Sequence, residues 1–341
     1  MKGIQPKGFP ARETTGLQNC IAVVKESPGK KPLGSYIYYK EALLIFNSID
    51  ELQNAMREKH YIAERGLTTS LYLALKLGRP LFLEGEAGVG KTEVAKVIAS
   101  LLDTELIRLQ CYEGLDVHHA VYEWNYTRQI MHIRLLEARG DKEASEAELF
   151  GPEFLLRRPL LQAIDPLREK PAVLLIDELD RSDDEFEAFL LEVLSDFQIT
   201  IPEIGTIKTS NPPVVIITSN RTREVHDALK RRCLYYWIDY PSFEKELEIV
   251  HTQLPDAPQK LARQITGFVQ VLREMDLYKL PGVAETLDWT MALMALDQKA
   301  LDPVIVDETL GAVLKYQDDI EKIKGESAAA ILERVNVEEF N

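Results

Sequence analysis

Gly85-Glu86-Ala87-Gly88-Val89-Gly90-Lys91-Thr92 is the stretch on which the reading of this chain turns. It satisfies GxxxxGK[ST] at every defined position. Glycines let the backbone turn tightly, so that successive N–H groups from Gly85, Glu86, Ala87, Gly88, Val89 and Gly90 converge on a phosphate. A helix opening at Lys91 turns its positive end toward the same anion. On that geometry Lys91 reaches the β- and γ-phosphates and the Thr92 hydroxyl ligates Mg²⁺. A dinucleotide-binding fingerprint is excluded, because Glu93 stands where its third glycine is required.

Outward from the loop, short apolar runs alternate with amphipathic helices. Leu81-Phe82-Leu83 reads as a buried strand, and Val94, Val97, Ile98, Leu101 and Leu102 line one face of the helix after it. Further strands are expected at Leu106–Leu109, Ala172–Ile176, Val214–Ile217 and Leu234–Ile238. A helix carrying Phe186, Phe189, Leu190, Val193, Leu194 and Phe197 lies between the third and fourth. This order predicts an α/β fold, a parallel sheet flanked by helices. Upstream, Ser48 with Glu51 three residues later is a helix-starting capping box, and Leu67–Leu77 is a second helix ending at Gly78-Arg79-Pro80.

After Pro241 the strand signal fades. Ser242–Leu254, Pro258–Met275, Val283–Asp297, Val306–Lys324 and Ala328–Val335 read as helices, giving a smaller all-α region at 241–341 behind an α/β domain at 46–240. Residues 139–152 read as a charged surface loop. Residues 1–45, interrupted by Pro6, Pro10, Pro28 and Pro32, read as a flexible extension, although 21–24 and 36–39 suit short strands.

Composition limits the partners. The 341 residues hold 40 Lys+Arg against 55 Asp+Glu, a net charge of −15, with 45% hydrophobic and 28% charged side chains. Seven basic and three acidic residues fall in 1–45, so the remainder carries 33 against 52, or −19. Such acidity opposes broad binding of nucleic acid, which needs basic surface to displace phosphate counterions. No apolar run approaches the ~18 residues of a membrane span, and no apolar stretch with a cleavage site marks a secretory signal. Cys20, Cys111 and Cys233 are odd in number and widely spaced, which fits a reducing, cytoplasmic setting.

Three further segments carry chemistry. Val173-Leu174-Leu175-Ile176-Asp177-Glu178 is an apolar strand ending in two acids. Asp177 is placed to hold Mg²⁺ beside the phosphate loop, and Glu178 to act as base for an attacking water. A hydrolase needs that base; a small-molecule phosphotransferase needs a positioned acceptor instead. The next strand ends Thr218-Ser219-Asn220, and Asn220 at that exit is suited to hold the water and report on the γ-phosphate. Lys230-Arg231-Arg232-Cys233 precedes the fifth strand. A guanidinium there suits the charge on a transferring phosphoryl group, supplied in cis or by a neighbour, with Arg231 and Arg232 both candidates.

Taken together, the loop, Ile-Asp-Glu, Thr-Ser-Asn and Leu-Lys-Arg-Arg, followed by a helical tail, resemble the AAA+ ATPases. The stretches 74–81, 85–94, 177–181 and Pro281-Gly282-Val283-Ala284-Glu285-Thr286-Leu287-Asp288-Trp289 look like the MoxR branch, nearest to the CoxD-type proteins found beside carbon monoxide dehydrogenase and other molybdenum hydroxylases. The likeness covers about residues 46–300. It implies an ATPase core with a helical lid, ATP and Mg²⁺ as ligands, and a homo-oligomeric ring, typically a hexamer. It also implies a chaperone-like role on a molybdenum-containing oxidoreductase, often with a partner bearing a von Willebrand factor A domain. Residues 113–160 would correspond to an insertion that engages clients.

One departure from the resemblance stands at Ala284-Glu285-Thr286, where many relatives place a lid arginine and this chain has no basic residue; either the lid does not sense the nucleotide or another residue such as Arg273 substitutes. Within the insertion, Tyr112, Tyr122, Trp124 and Tyr126 are either a client surface or core, and His118-His119 lacks the companions of a metal site. A nucleic-acid motor of restriction-system type is the rival reading and is disfavoured by the charge. A nucleotide-regulated scaffold is opposed by the Asp177-Glu178 pair, and a GTPase by the absence of an Asn-Lys-x-Asp motif. The choice of adenine comes from the resemblance.

Overall fold

A computed structural model of the chain describes residues 46–139 and 146–338. The extension at 1–45, with its two candidate strands and Cys20, lies outside the described residues, as does the middle of the loop expected at 139–152.

Helix α1 (Ile49–Glu58) opens on half of the capping box: Ser48 Oγ accepts from the Glu51 N–H at 3.1 Å, while the Glu51 carboxylate takes the Asn47 N–H, at 2.7 Å, in place of the Ser48 one. Helix α2 (Arg65–Leu77) stops at Gly78, whose φ of +61° takes the chain into the left-handed turn that glycine tolerates. Next come β1 (Leu81–Gly85), α3 (Lys91–Leu101), β2 (Leu106–Gln110), β3 (Tyr122–Trp124), α4 (Tyr126–Arg139), β4 (Leu155–Arg157) and β5 (Val173–Asp177). They are followed by α5 (Asp184–Asp196), β6 (Gln198–Ile201), β7 (Gly205–Lys208), β8 (Val214–Ser219) and β9 (Leu234–Ile238).

Five strands form one wholly parallel sheet in the order β2-β5-β8-β1-β9. Alternation along each strand divides the apolar side chains between its two faces. Leu174, Ile176, Val215 and Ile217 pack with Phe186 and Leu190 on one side. Val173, Leu175, Val214 and Ile216 pack with Leu71, Val94 and Ile98 on the other. Both faces are covered, so the strands read as continuous apolar runs. All five strands point their C-terminal ends the same way, which gathers Gly85, Gln110, Asp177, Ser219 and Ile238 along one edge of the sheet.

From Phe243 onward the described chain is helical: α6 (Phe243–Gln253), α7 (Gln259–Glu274), α8 (Val283–Ala295), α9 (Pro303–Val313), α10 (Gln317–Ile323) and α11 (Glu326–Glu338). Its core centres on Phe268 and Trp289, whose rings meet edge to face at 5.4 Å. The single helix expected over Val306–Lys324 is two helices. Buried Leu314 is extended (φ −103°, ψ 139°), and the chain restarts at Gln317. Asp319 then accepts from the Tyr278 and Lys279 N–H groups, tying α10 to the α7–α8 connection.

Two small antiparallel pairs, and helix α4 within the insertion, add to the elements expected from the sequence. Strands β6 and β7 pair antiparallel between α5 and β8, and β3 pairs with β4 at either end of the insertion. Within the insertion Tyr122 and Trp124 are core, meeting edge to face, whereas Tyr112 and Tyr126 are exposed. His118 rests against the Tyr122 ring and His119 bonds Asp116. No group of three or more metal-binding side chains occurs among the described residues.

Candidate nucleotide site

The loop after β1 begins at the sheet edge. Gly88 (φ +77°) and Gly90 (φ +91°) adopt backbone that an L side chain resists, which confirms why glycine is needed at these two turns. Lys91 opens α3 and is nearly buried; its ammonium donates to the Gly85 and Glu86 carbonyls at 2.7 and 2.6 Å. Burial pushes its pKa down to about 8, against the opposing pull of Asp180, Glu86, Asp177 and Glu178.

Thr92 and Asp177 meet as the spacing requires. The Thr92 hydroxyl donates to Asp177 Oδ1 at 3.0 Å. Thr218 Oγ1 donates to the same oxygen at 2.6 Å and accepts from the Glu178 N–H at 2.9 Å. A hydroxyl and a carboxylate side by side form an all-oxygen donor set, which suits a small hard cation such as Mg²⁺ that keeps several of its waters. Residues and metal fit.

Glu178 has φ +56°, a turn that carries its side chain off the strand line. Its carboxylate receives Gln110 Nε2 at 3.0 Å, Arg181 Nε at 3.1 Å and Asn220 Nδ2 at 3.4 Å. Strand order explains the last contact, because β8 lies between β5 and β1. Buried Asp180 locks the β8 exit: it accepts from the Asn220 N–H (3.1 Å), the Thr222 N–H (2.8 Å) and the Thr222 hydroxyl (2.7 Å). Burial works to raise the Asp180 pKa, but the Thr222 and Asn220 bonds outweigh it and leave the group below its ordinary value.

The two candidate arginines part company. Arg232, also exposed, lies back along its own chain, donating to the Leu191 carbonyl and to Ser195 Oγ near the end of α5. Arg231 has an 82% exposed side chain and only a 4.0 Å contact to equally exposed Asp227. Arg79 holds this turn by donating to the carbonyls of Arg231, Arg232 and Cys233. Neither arginine approaches the phosphate loop of its own chain by any described bond.

Arg273 is not a free substitute for a lid arginine. It forms a buried pair with Glu246 at 2.6 and 2.8 Å, donates to the Pro281 carbonyl and lies over the Tyr240 ring. The lid meets the loop through main chain instead. Ala284 N–H donates to the Gly88 carbonyl at 3.2 Å, and a Cβ on Gly282 would come within 2.6 Å of the Ala87 carbonyl oxygen.

A cavity of about 340 Å³ adjoins the loop at Val89 and Gly90, walled by Tyr61, Leu67, Tyr236, Ile249 and Leu287. Its size and apolar walls suit a nucleoside. Tyr61 places its hydroxyl 3.5 Å from the Gly90 carbonyl, and burial drives that phenol well above its usual range. Neither this cavity nor the roles of Gln110, Asp180, Thr218 and Arg108 leave a local motif in the sequence, since each depends on strand order.

Arg108 lies on β2, in register with Leu175 of β5. Its guanidinium donates to Asp177 Oδ2 through Nε at 3.0 Å and Nη2 at 2.5 Å, and to Gln110 Oε1 at 2.6 Å.

A parallel sheet with a phosphate loop at its C-terminal edge, two acids on the strand beyond its neighbour and a helical lid define an AAA+ P-loop fold. Residues 80–233 match the family described as AAA domain (dynein-related subfamily). Chaperone protein ClpB of Meiothermus ruber is 27% identical over 260 residues, 71% of this chain and 27% of that protein. ClpB of Bacillus cereus is 33% identical over 148 residues, 42% and 14% of the two chains. This chain thus spans about a quarter or less of these ClpB proteins. Among solved structures, the Thermotoga maritima RuvB Holliday junction branch migration motor aligns with a TM-score of 0.41 at 18% identity, covering 79% of this chain and 72% of that one.

Proposed function

We propose that this protein hydrolyses ATP and uses the energy to remodel a protein client. The observation that carries the reading is the juxtaposition of Thr92 with Asp177, and of Glu178 with Asn220, at the edge where the phosphate loop ends. Lys91 and the loop amides hold the phosphates, while Thr92 and Asp177 hold Mg²⁺. The metal, when bound, neutralises charge on the β- and γ-oxygens. Glu178 takes the proton of the attacking water, and Asn220, fixed through Asp180, orients that water. Exposed Arg231 serves the site of a neighbouring subunit in a ring, typically of six copies.

The resemblance to the MoxR branch supplies the finer reading: a cytoplasmic, chaperone-like ATPase whose client is an immature molybdenum hydroxylase, working with a protein bearing a von Willebrand factor A domain. Likeness over 260 residues to a chaperone supports action on protein. No helix of the described residues is long and apolar enough to cross a membrane.

Glu178→Gln tests the reading. The variant is expected to bind ATP with wild-type affinity while turnover falls at least about hundredfold; full turnover would remove Glu178 as the base. The same variant, used to trap clients in cells of the source organism, is expected to retain a molybdenum hydroxylase.

A further inference from the structure

Asp177 is a fully satisfied carboxylate. One oxygen takes the Thr92 and Thr218 hydroxyls, and the other alone takes two N–H groups of Arg108, a charge-assisted contact of two donors on one acceptor oxygen. The acid is almost wholly buried, whereas the Arg108 side chain is 53% exposed and reaches in from the edge strand β2. No cation other than Arg108 is within bonding distance of Asp177 among the described residues.

We propose that Arg108 gates magnesium at Asp177. A water of the hydrated metal approaching Asp177 competes with the guanidinium for the Oδ2 lone pairs, and a divalent cation at Thr92 and Asp177 lies beside a fixed positive charge. Arg108 can yield, because its outer half is in water and Gln110 Oε1 offers its Nη2 a second acceptor. Metal uptake therefore proceeds at the expense of the Arg108–Asp177 pair, and the chain needs a higher magnesium concentration than its oxygen ligands alone would set. Arg108 is a positioning residue in this account, acting through Asp177. The inference rests on the nucleotide-site reading above.

The test is calorimetric titration of the full chain with ADP, in EDTA and at rising MgCl₂, for wild type, Arg108→Met and Arg108→Lys. Arg108→Met is expected to lower the magnesium concentration at half-maximal tightening by about tenfold, the scale of one like-charge contact removed near a surface. Affinity in EDTA should stay near wild type, because the guanidinium is bonded to the acid and not to the loop. Arg108→Lys keeps the charge without the paired Nε and Nη2 donors, so its magnesium midpoint should fall between the other two, and it decides the matter alone if the methionine variant does not fold. An unchanged or raised midpoint in the variants overturns the gate while leaving the nucleotide site standing. Failure of the wild type to take up ADP under any condition removes the site and the gate together.

Discussion

Lys91 sets a pH limit on the site. Its folded pKa of about 8 lies below the ordinary 10.5, so the native chain binds fewer protons than the unfolded one between those values. Burying this lysine therefore costs stability in full below about pH 8, and the cost is lifted as pH rises toward 10.5. Phosphate binding has the opposite sign, because only the ammonium form meets the anion. Affinity for ADP is expected to weaken as pH climbs from about 7 to about 9, while Lys91→Ala binds weakly and evenly across that range. Calorimetry at several pH values checks this; a wild-type affinity that ignores pH removes the link to Lys91. Lys91, Thr92, Asp177 and Glu178 were legible because each belongs to a contiguous motif whose chemistry is local. Arg108 and Gln110 were not, since their meaning depends on β2 lying beside β5 in a register that puts Gln110 opposite Asp177. Asp180 sits two residues after Glu178 yet acts on a turn 40 residues away. Such partners appear only once strand order is known.

Helix α8 meets the phosphate loop through its main chain. Its first turn lacks an arginine, and its N-cap Gly282 packs directly on the loop instead. Gly282→Ala would drive a methyl to 2.6 Å from the Ala87 carbonyl oxygen and 2.9 Å from Gly88 Cα, both main-chain atoms that cannot rotate away. Overpacking of this kind costs about 1–3 kcal/mol, and the lid is expected to lift from the loop before either unfolds. Hydrogen exchange should then show faster exchange at the Ala284 amide, which bonds Gly88, with ADP affinity weakened by about tenfold. Unaltered exchange at Ala284 would mean that the contact is incidental. Most of the longer helices were legible from 3.6-residue periodicity, including α7, whose apolar face buries Leu261, Ile265, Phe268 and Leu272, but α4 (Tyr126–Arg139), of which Gln129 is the buried residue, was not. Where the pattern runs on through a break, as from Val306 to Lys324, periodicity could not show that Leu314 turns extended. The β6–β7 hairpin was lost for the converse reason: four-residue strands joined by Pro202-Glu203-Ile204 give too short an alternation to stand out beside the strong helix before them.

At the scale of the whole molecule, the arrangement is incomplete in one respect: the single chain offers no arginine to its own phosphates through Arg231 or Arg232. Arg232 is tied to α5, so Arg232→Ala is expected to lower stability by about 1 kcal/mol with turnover largely kept. Arg231 is exposed, weakly paired and held on a turn that Arg79 braces, the features of a group presented outward. If it completes a neighbour's site, Arg231→Ala should leave ADP binding and melting temperature unchanged while turnover falls at least about hundredfold. Mixing then separates cis from trans. A Lys91→Ala subunit has an intact Arg231 but cannot hold phosphate; an Arg231→Ala subunit holds phosphate but presents no guanidinium. Placed side by side in one ring, the first serves the second, and partial turnover should return although each protein alone is inactive. Native mass spectrometry establishes that mixed assemblies form. Mixed rings without recovered turnover would assign Arg231 to its own subunit or to no catalytic part at all, and the exposed turn at 227–233 would then be surface rather than interface.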